Sequence, residues 1–106
     1  MTNTQPMNTV FIGGGNMARA IISGLLQQGA DPKFIGVIEP QSQTAKRLEH
    51  DFSISTYAGI GDAQQIIKSA HIIVLAIKPQ DFKTVATELA KHLEQVAHGP
   101  VILSIA

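Results

Sequence analysis

Cysteine is absent from the 106 residues, which removes disulfides, thiolate metal sites and cysteine nucleophiles together. A reducing cytosol is compatible with that absence, and a cytoplasmic location is the expectation. Charge of neither sign is in excess. Eight Lys and Arg stand against eight Asp and Glu, so no global field steers the chain toward nucleic acid or an anionic membrane, and no basic patch stands out locally. No apolar run approaches membrane-spanning length. The opening Met1-Thr2-Asn3-Thr4-Gln5-Pro6 lacks the basic and apolar regions of a signal peptide and reads as a flexible arm, residues 1–6, ahead of one domain at 7–106. Neither an internal repeat nor a low-complexity linker interrupts that domain. Four histidines, His50, His71, His92 and His98, are scattered without metal-ligand spacing, so no metal is expected.

Apolar residues are plentiful by contrast, at 44 % of the chain, enough for a single domain with a modest core. The most informative stretch is Val10-Phe11-Ile12-Gly13-Gly14-Gly15-Asn16-Met17-Ala18. It reads as a buried strand entering a glycine turn and then a helix, in the pattern G-x-G-x-x-A. Gly13 permits the tight turn, Gly15 lets backbone approach a pyrophosphate, and Ala18 stands where helix must pack close to strand. Backbone N–H groups and the helix dipole would hold the anion without a side-chain cation. Ala18, Ile21, Ile22 and Leu25 share one helical face, and Gly29 follows as a C-terminal stop. A second apolar run, Phe34 to Ile38, ends at Glu39, about 20 residues past the turn, where such folds place a ribose-binding acid.

The alternation continues to the last residue. Ser42 to His50 carries Ala45 and Leu48 inward as a short amphipathic helix, and Phe52 to Tyr57 reads as a weak strand. Asp62 is placed to cap a helix reaching Ser69, and His71 opens the β-branched run Ile72 to Ile77, which reads as a central strand buried on both faces. Pro79 stops it. Phe82, Val85, Ala86, Leu89, Leu93 and Val96 then fall at helical spacing up to Gly99-Pro100, and Val101 to Ile105 supplies a further strand. Strand and helix in alternation imply right-handed crossovers, hence an α/β fold: a Rossmann-like, doubly wound parallel sheet with helices on both faces.

Ligands in such sheets lie at the carboxyl ends of the strands near the topological switch point. Those ends are Gly13 to Met17, Glu39 to Ser42, Ala76 to Pro79, and Ser104 to Ala106. The final strand is apolar enough to belong inside a sheet, yet nothing follows Ala106, so one domain of a longer protein is expected.

The runs Phe11 to Ala18 with Ala20 to Leu25, Leu75-Ala76-Ile77-Lys78-Pro79-Gln80, and Ser104-Ile105-Ala106 resemble the N-terminal domain of pyrroline-5-carboxylate reductase, over nearly all of the chain from Met7. The resemblance implies an oxidoreductase of proline biosynthesis that reduces the C=N bond of 1-pyrroline-5-carboxylate to L-proline with NADPH or NADH. It also implies a C-terminal helical domain that builds a homodimer or higher oligomer and completes the substrate site; without it this chain is expected to be inactive alone. By position, Gly13, Gly14, Gly15, Asn16 and Met17 would hold the pyrophosphate. Gln41 and Ser42 would lie near the adenosine ribose, and Ala76, Ile77, Lys78, Pro79 and Ala106 would line the nicotinamide half. A protonated imine is already a good hydride acceptor, so positioning dominates and no catalytic side chain is assigned. Lys78 is a site member or a solvated lysine; Met17 touches cofactor or fills core.

Cofactor choice divides the residues. Glu39 favours NAD if its carboxylate meets the ribose 2′-hydroxyl. Pro40 restricts Glu39 to extended geometry and can turn that carboxylate away. Gln41, Ser42 and Gln43 offer neutral donors, with Lys46 and Arg47 one helical turn on, and the family often uses NADPH; NADP(H) is therefore favoured slightly over NAD(H). A third reading makes Glu39 an ordinary solvated charge. Two other functions stay open: another NAD(P)-dependent dehydrogenase or imine reductase, such as a β-hydroxyacid dehydrogenase, and a non-catalytic dinucleotide sensor.

Overall fold

The computed structural model describes residues 7–94, 96 and 99–105; the expected arm at 1–6, His98 and Ala106 lie outside them. Five strands, β1 (Thr9–Ile12), β2 (Ile35–Ile38), β3 (Ser55–Tyr57), β4 (Ile72–Leu75) and β5 (Val101–Ser104), form one sheet in the order β3-β2-β1-β4-β5. Every pairing is parallel. The helices are α1 (Asn16–Gln27), α2 (Ser42–Phe52), α3 (Gln64–Ser69) and α4 (Phe82–Leu93). The doubly wound α/β architecture expected from the alternating pattern is therefore the one observed.

Period-two geometry divides the strand residues between two cores. Phe11, Val37 and Val74 face one side and pack with Ala18 and Ile22 of α1 and Leu48 of α2. Val10, Ile12, Ile38, Ile73 and Leu75 face the other, against Ile67 of α3 and Leu89 of α4. Both faces of β1, β2 and β4 are thus covered, and for that reason these strands read as unbroken apolar runs. Helix α1 ends as expected: Gly29 has φ +97°, and its N–H donates to the Leu26 carbonyl. At the amino ends of the strands the Asn8 N–H donates to His71 Nδ1 at 3.0 Å, and the Asn8 side-chain amide donates to the Ser69 carbonyl. His71 thus links the residue before β1 to the start of β4.

Three expectations are corrected. Asp62 does not cap α3; the chain enters that helix through a 3-10 turn at Ile60–Ala63, with the Asp62 N–H donating to the Gly59 carbonyl. Helix α2 runs on to Phe52, because Ser53 adopts the left-handed conformation that ends it, and β3 shortens accordingly to Ser55–Tyr57. Strand β4 stops at Leu75, short of the expected Ile77, but lies between β1 and β5 with Ile73, Val74 and Leu75 buried, as a central strand should. Among the described residues β5 pairs with β4 alone, and its Val101, Ile102 and Leu103 are 59, 47 and 47 % exposed.

Two devices fix the region at the head of α1. Gly13, with φ +102°, lies so close to β4 that a Cβ built on it would stand 2.2 Å from the Ala76 carbonyl oxygen. Arg19 of α1 pairs with Asp51 of α2, and its guanidinium lies 4.9 Å from the Phe52 ring centroid. The Arg19 guanidinium, with help from His50, holds the Asp51 carboxyl below its ordinary value of 3.8. Both partners of the ion pair are about one-third exposed, so its contribution is small and screened by salt.

Replacing Gly13 with Ala forces a side chain into a left-handed turn and against backbone, and is expected to lower stability by about 2–4 kcal/mol in urea titration. Unchanged stability would show that the turn relaxes freely. Because the folded chain depresses the Asp51 pKa, the ion pair stabilises above the unfolded carboxylate value, and that contribution is lost as pH falls through the folded value. The difference in melting temperature between the native chain and Arg19→Gln should therefore be present at neutral pH and vanish below Asp51's titration. A gap that persists in acid would assign the effect to Phe52 stacking.

Candidate functional site

The switch point of the sheet lies between β1 and β4, because the chain leaves β1 for β2 on one side and reaches β4 on the other. The segments at the carboxyl ends of β1 and β4 are tied by a backbone bond, Ala76 N–H donating to the Ile12 carbonyl at 2.8 Å, while Gly13 N–H donates to the Ile38 carbonyl at the end of β2, also at 2.8 Å. The β1 and β4 segments face each other. Between them opens a cleft of about 350 Å³ lined by Gly15, Asn16, Met17, Ala76, Ile77, Lys78 and Pro79, with Ile105 and Ala18 closing it. Seven residues singled out from sequence are gathered there.

The three consecutive glycines have three different environments. Gly13 is required by its backbone angle and by contact with Ala76. Gly14 is required by packing: a Cβ would meet Leu48 Cδ1 at 2.7 Å and Val37 Cγ1 at 3.2 Å. Gly15 has neither reason. Its φ of −74° suits any residue, and a Cβ there would meet nothing within 4 Å. Open space above a backbone that nothing internal requires to be glycine is what the close approach of a ligand demands.

Gly15 is also the N-cap of α1, and it brings no side-chain oxygen to satisfy the helix's free donors. The first intrahelical bond runs from Arg19 N–H to the Gly15 carbonyl at 2.9 Å, which leaves the N–H groups of Asn16, Met17 and Ala18 without a partner inside the helix. No acidic side chain occupies the first turn. Bare donors at the positive end of a twelve-residue helix form an anion cradle. Met17 is 53 % exposed at the mouth of the cleft and belongs to neither core, so the reading of it as filler is not met.

Glu39 is where the structure adds most. It is not a solvated charge: the residue is 9 % exposed, and both carboxylate oxygens are engaged. Oε1 accepts from Gly14 N–H at 2.9 Å and Oε2 from Gln41 N–H at 2.8 Å, while Glu39's own N–H donates to the Tyr57 carbonyl at 2.8 Å. Charge-assisted bonds of that length offset the cost of burying a carboxylate. Sequence reasoning placed this residue at the site edge and missed its partners. The available signal was an acid extending a strand buried on both faces, beside a turn rich in unpaired N–H groups.

Gln41 and Ser42 stand exposed at the start of α2, with no side-chain cap and no acid in the first turn. Lys78 and Pro79 are exposed after β4, where Lys78 precedes the 3-10 turn Pro79–Asp81. Ala106 lies outside the described residues. No group of three or more His, Asp or Glu side chains among the described residues could hold a metal ion, and no described helix is long and apolar enough to cross a membrane.

Residues 8–106 match the model of a protein family described as "NADP oxidoreductase coenzyme F420-dependent". The chain is similar to the pyrroline-5-carboxylate reductase of Vibrio alginolyticus, with 39 % identity over 97 residues, 91 % of this chain and 33 % of that one. Among solved structures, a pyrroline-5-carboxylate reductase from Coxiella burnetii superposes with a TM-score of 0.80 at 33 % identity, over 95 % of this chain and 36 % of the other. The Plasmodium falciparum pyrroline carboxylate reductase shares the fold, with a TM-score of 0.70 at 17 % identity, over 93 % of this chain and 33 % of that one. The chain spans about a third of the length of the curated relatives it matches.

Proposed function

We propose a function from one premise: this chain belongs to the family described as "NADP oxidoreductase coenzyme F420-dependent". It is a Rossmann-type nicotinamide-dinucleotide-binding domain. Its role, on this proposal, is to hold NAD(P)H in a protein that reduces the C=N bond of 1-pyrroline-5-carboxylate to L-proline, as an enzyme of proline biosynthesis. The names of the similar proteins support that activity. The observation that carries the binding half is Gly15, a residue whose missing side chain serves no internal contact and opens onto the donors of α1.

When bound, the reduced nicotinamide supplies the hydride. The N–H groups of Asn16 and Met17 take the pyrophosphate, with Gly13 and Gly14 holding the turn that aims them. Gln41 and Ser42 take the adenosine ribose and its substituents. Ala76, Ile77, Lys78 and Pro79 flank the nicotinamide and exclude water from one side of it. A protonated imine needs a correctly placed hydride donor more than an acid or base, so these residues act by position. The second domain implied by the resemblance would bring the substrate carboxylate site and the subunit contact, making the working form a homodimer or larger.

NADPH is the cofactor we assign in preference to NADH. The first turn of α2 carries no acid to repel a 2′-phosphate, and the Plasmodium falciparum reductase was solved with NADP bound.

Calorimetric titration of the chain with NADPH and NADH at fixed salt tests this reading. Tighter NADPH binding is expected, and Gly15→Val should weaken both cofactors by about 100-fold or more while leaving the melting temperature nearly unchanged. Undiminished affinity in a folded Gly15→Val chain would overturn the pyrophosphate assignment, and tighter NADH binding would overturn the cofactor preference.

A further inference from the structure

A turn of three successive glycines is a poor anion cradle unless something outside it restrains it, because glycine loses more backbone freedom on ordering than any other residue. Gly13 and Gly15 are held by their places beside Ala76 and at the head of α1. Gly14, between them, packs on Leu48 and Val37 and is also held through its N–H. Its N–H is the one donor of the turn that a side chain takes up, at 2.9 Å from Glu39 Oε1.

Glu39 itself is fixed at both ends. Its backbone N–H is bonded to Tyr57 of β3, and Oε2 accepts from Gln41 N–H at the entrance to α2. One carboxylate therefore ties the glycine turn after β1 to the segment after β2, the two loops between which the adenosine and pyrophosphate parts of a dinucleotide would lie. A carboxylate that reads ribose hydroxyls must present free lone pairs to the ligand. This one is nine-tenths buried, and each oxygen already accepts a short bond from the protein's own backbone.

We propose that Glu39 is a positioning residue of the dinucleotide site, acting through Gly14 N–H and Gln41 N–H, and that it does not choose between NADH and NADPH. The inference rests on the dinucleotide-binding reading above. Glu39 fixes the peptide plane entering Gly14, so that the donors of Gly15, Asn16 and Met17 meet the pyrophosphate without first being ordered. Its effect falls on the half of the cofactor that NADH and NADPH share.

The test compares the native 106-residue chain with Glu39→Gln and Glu39→Asp. Glutamine keeps the shape and one acceptor but turns an NH2 against a backbone N–H; aspartate keeps the charge but is one methylene too short to reach both donors. The measurements are NADH and NADPH affinity and amide hydrogen exchange in the cofactor-free chain. In both variants Gly14 and Gln41 amides are expected to exchange about tenfold faster or more, with core amides of β1 and β4 unchanged. Affinity for both cofactors should fall about tenfold, with the NADPH to NADH ratio within about twofold of native.

A ratio that shifts toward NADPH while Gly14 exchange stays native would make Glu39 a ribose reader and overturn the proposal. Faster Gly14 exchange with native affinity for both cofactors would reduce Glu39 to a fold contact and overturn it equally. Should Glu39→Gln fail to fold, Glu39→Asp carries the same decision. A native chain that binds neither cofactor fails the dinucleotide reading itself, and the inference with it. A native chain that binds while its variants depart from this pattern fails the inference alone.

Discussion

The approach of the Gly13 backbone to the Ala76 carbonyl is the contact on which the rest of the molecule depends. Strand β1 is the middle of the sheet and must end, turn and start a helix within van der Waals reach of the strand beside it. No L-residue with a Cβ fits, so the chain uses the left-handed region open to glycine. That turn brings the head of α1 over the end of β4 and sets its unpartnered N–H groups facing Ala76 to Pro79 across a shared cleft. The Gly13 N–H donates to Ile38, the last residue of β2, so the same residue also positions the loop that carries Glu39. Cleft, anion cradle and acid are consequences of one turn.

Much of this was legible in the amino-acid order. The spacing of Ala18, Ile21, Ile22 and Leu25 located α1 and its buried face, and Gly29 located its end, because helix periodicity and chain reversal leave local marks. The likeness of the glycine turn and the Ala76 to Pro79 run to a reductase domain is matched by the relatives found. What escaped depended on partners distant in sequence. Glu39 lies 25 residues from Gly14, and of its two carboxylate bonds only the one from Gln41 N–H is local.

The three glycines show why a motif understates its own content. Written as a pattern, Gly13, Gly14 and Gly15 are one symbol repeated, yet the first answers to backbone angle, the second to the Leu48 methyl beneath it, and the third to nothing inside the protein. Openness alone does not single out the third, since Gly24 and Gly61 are equally open; its place at the head of α1, on the cleft, does.

The pairing of β1 with β4 also has a bearing on time. Asn8 and His71, which close the amino end of that pair, are 63 residues apart, and drawing so long a loop shut costs about 4 kcal/mol of chain entropy. Strands β1 and β2, by contrast, join across a single short crossover. A chain emerging from the ribosome can therefore assemble β1, α1 and β2 long before residue 76 exists, and during that interval the cradle has only one wall. The cleft is a late product of synthesis, complete only when the fourth strand has been threaded beside the first.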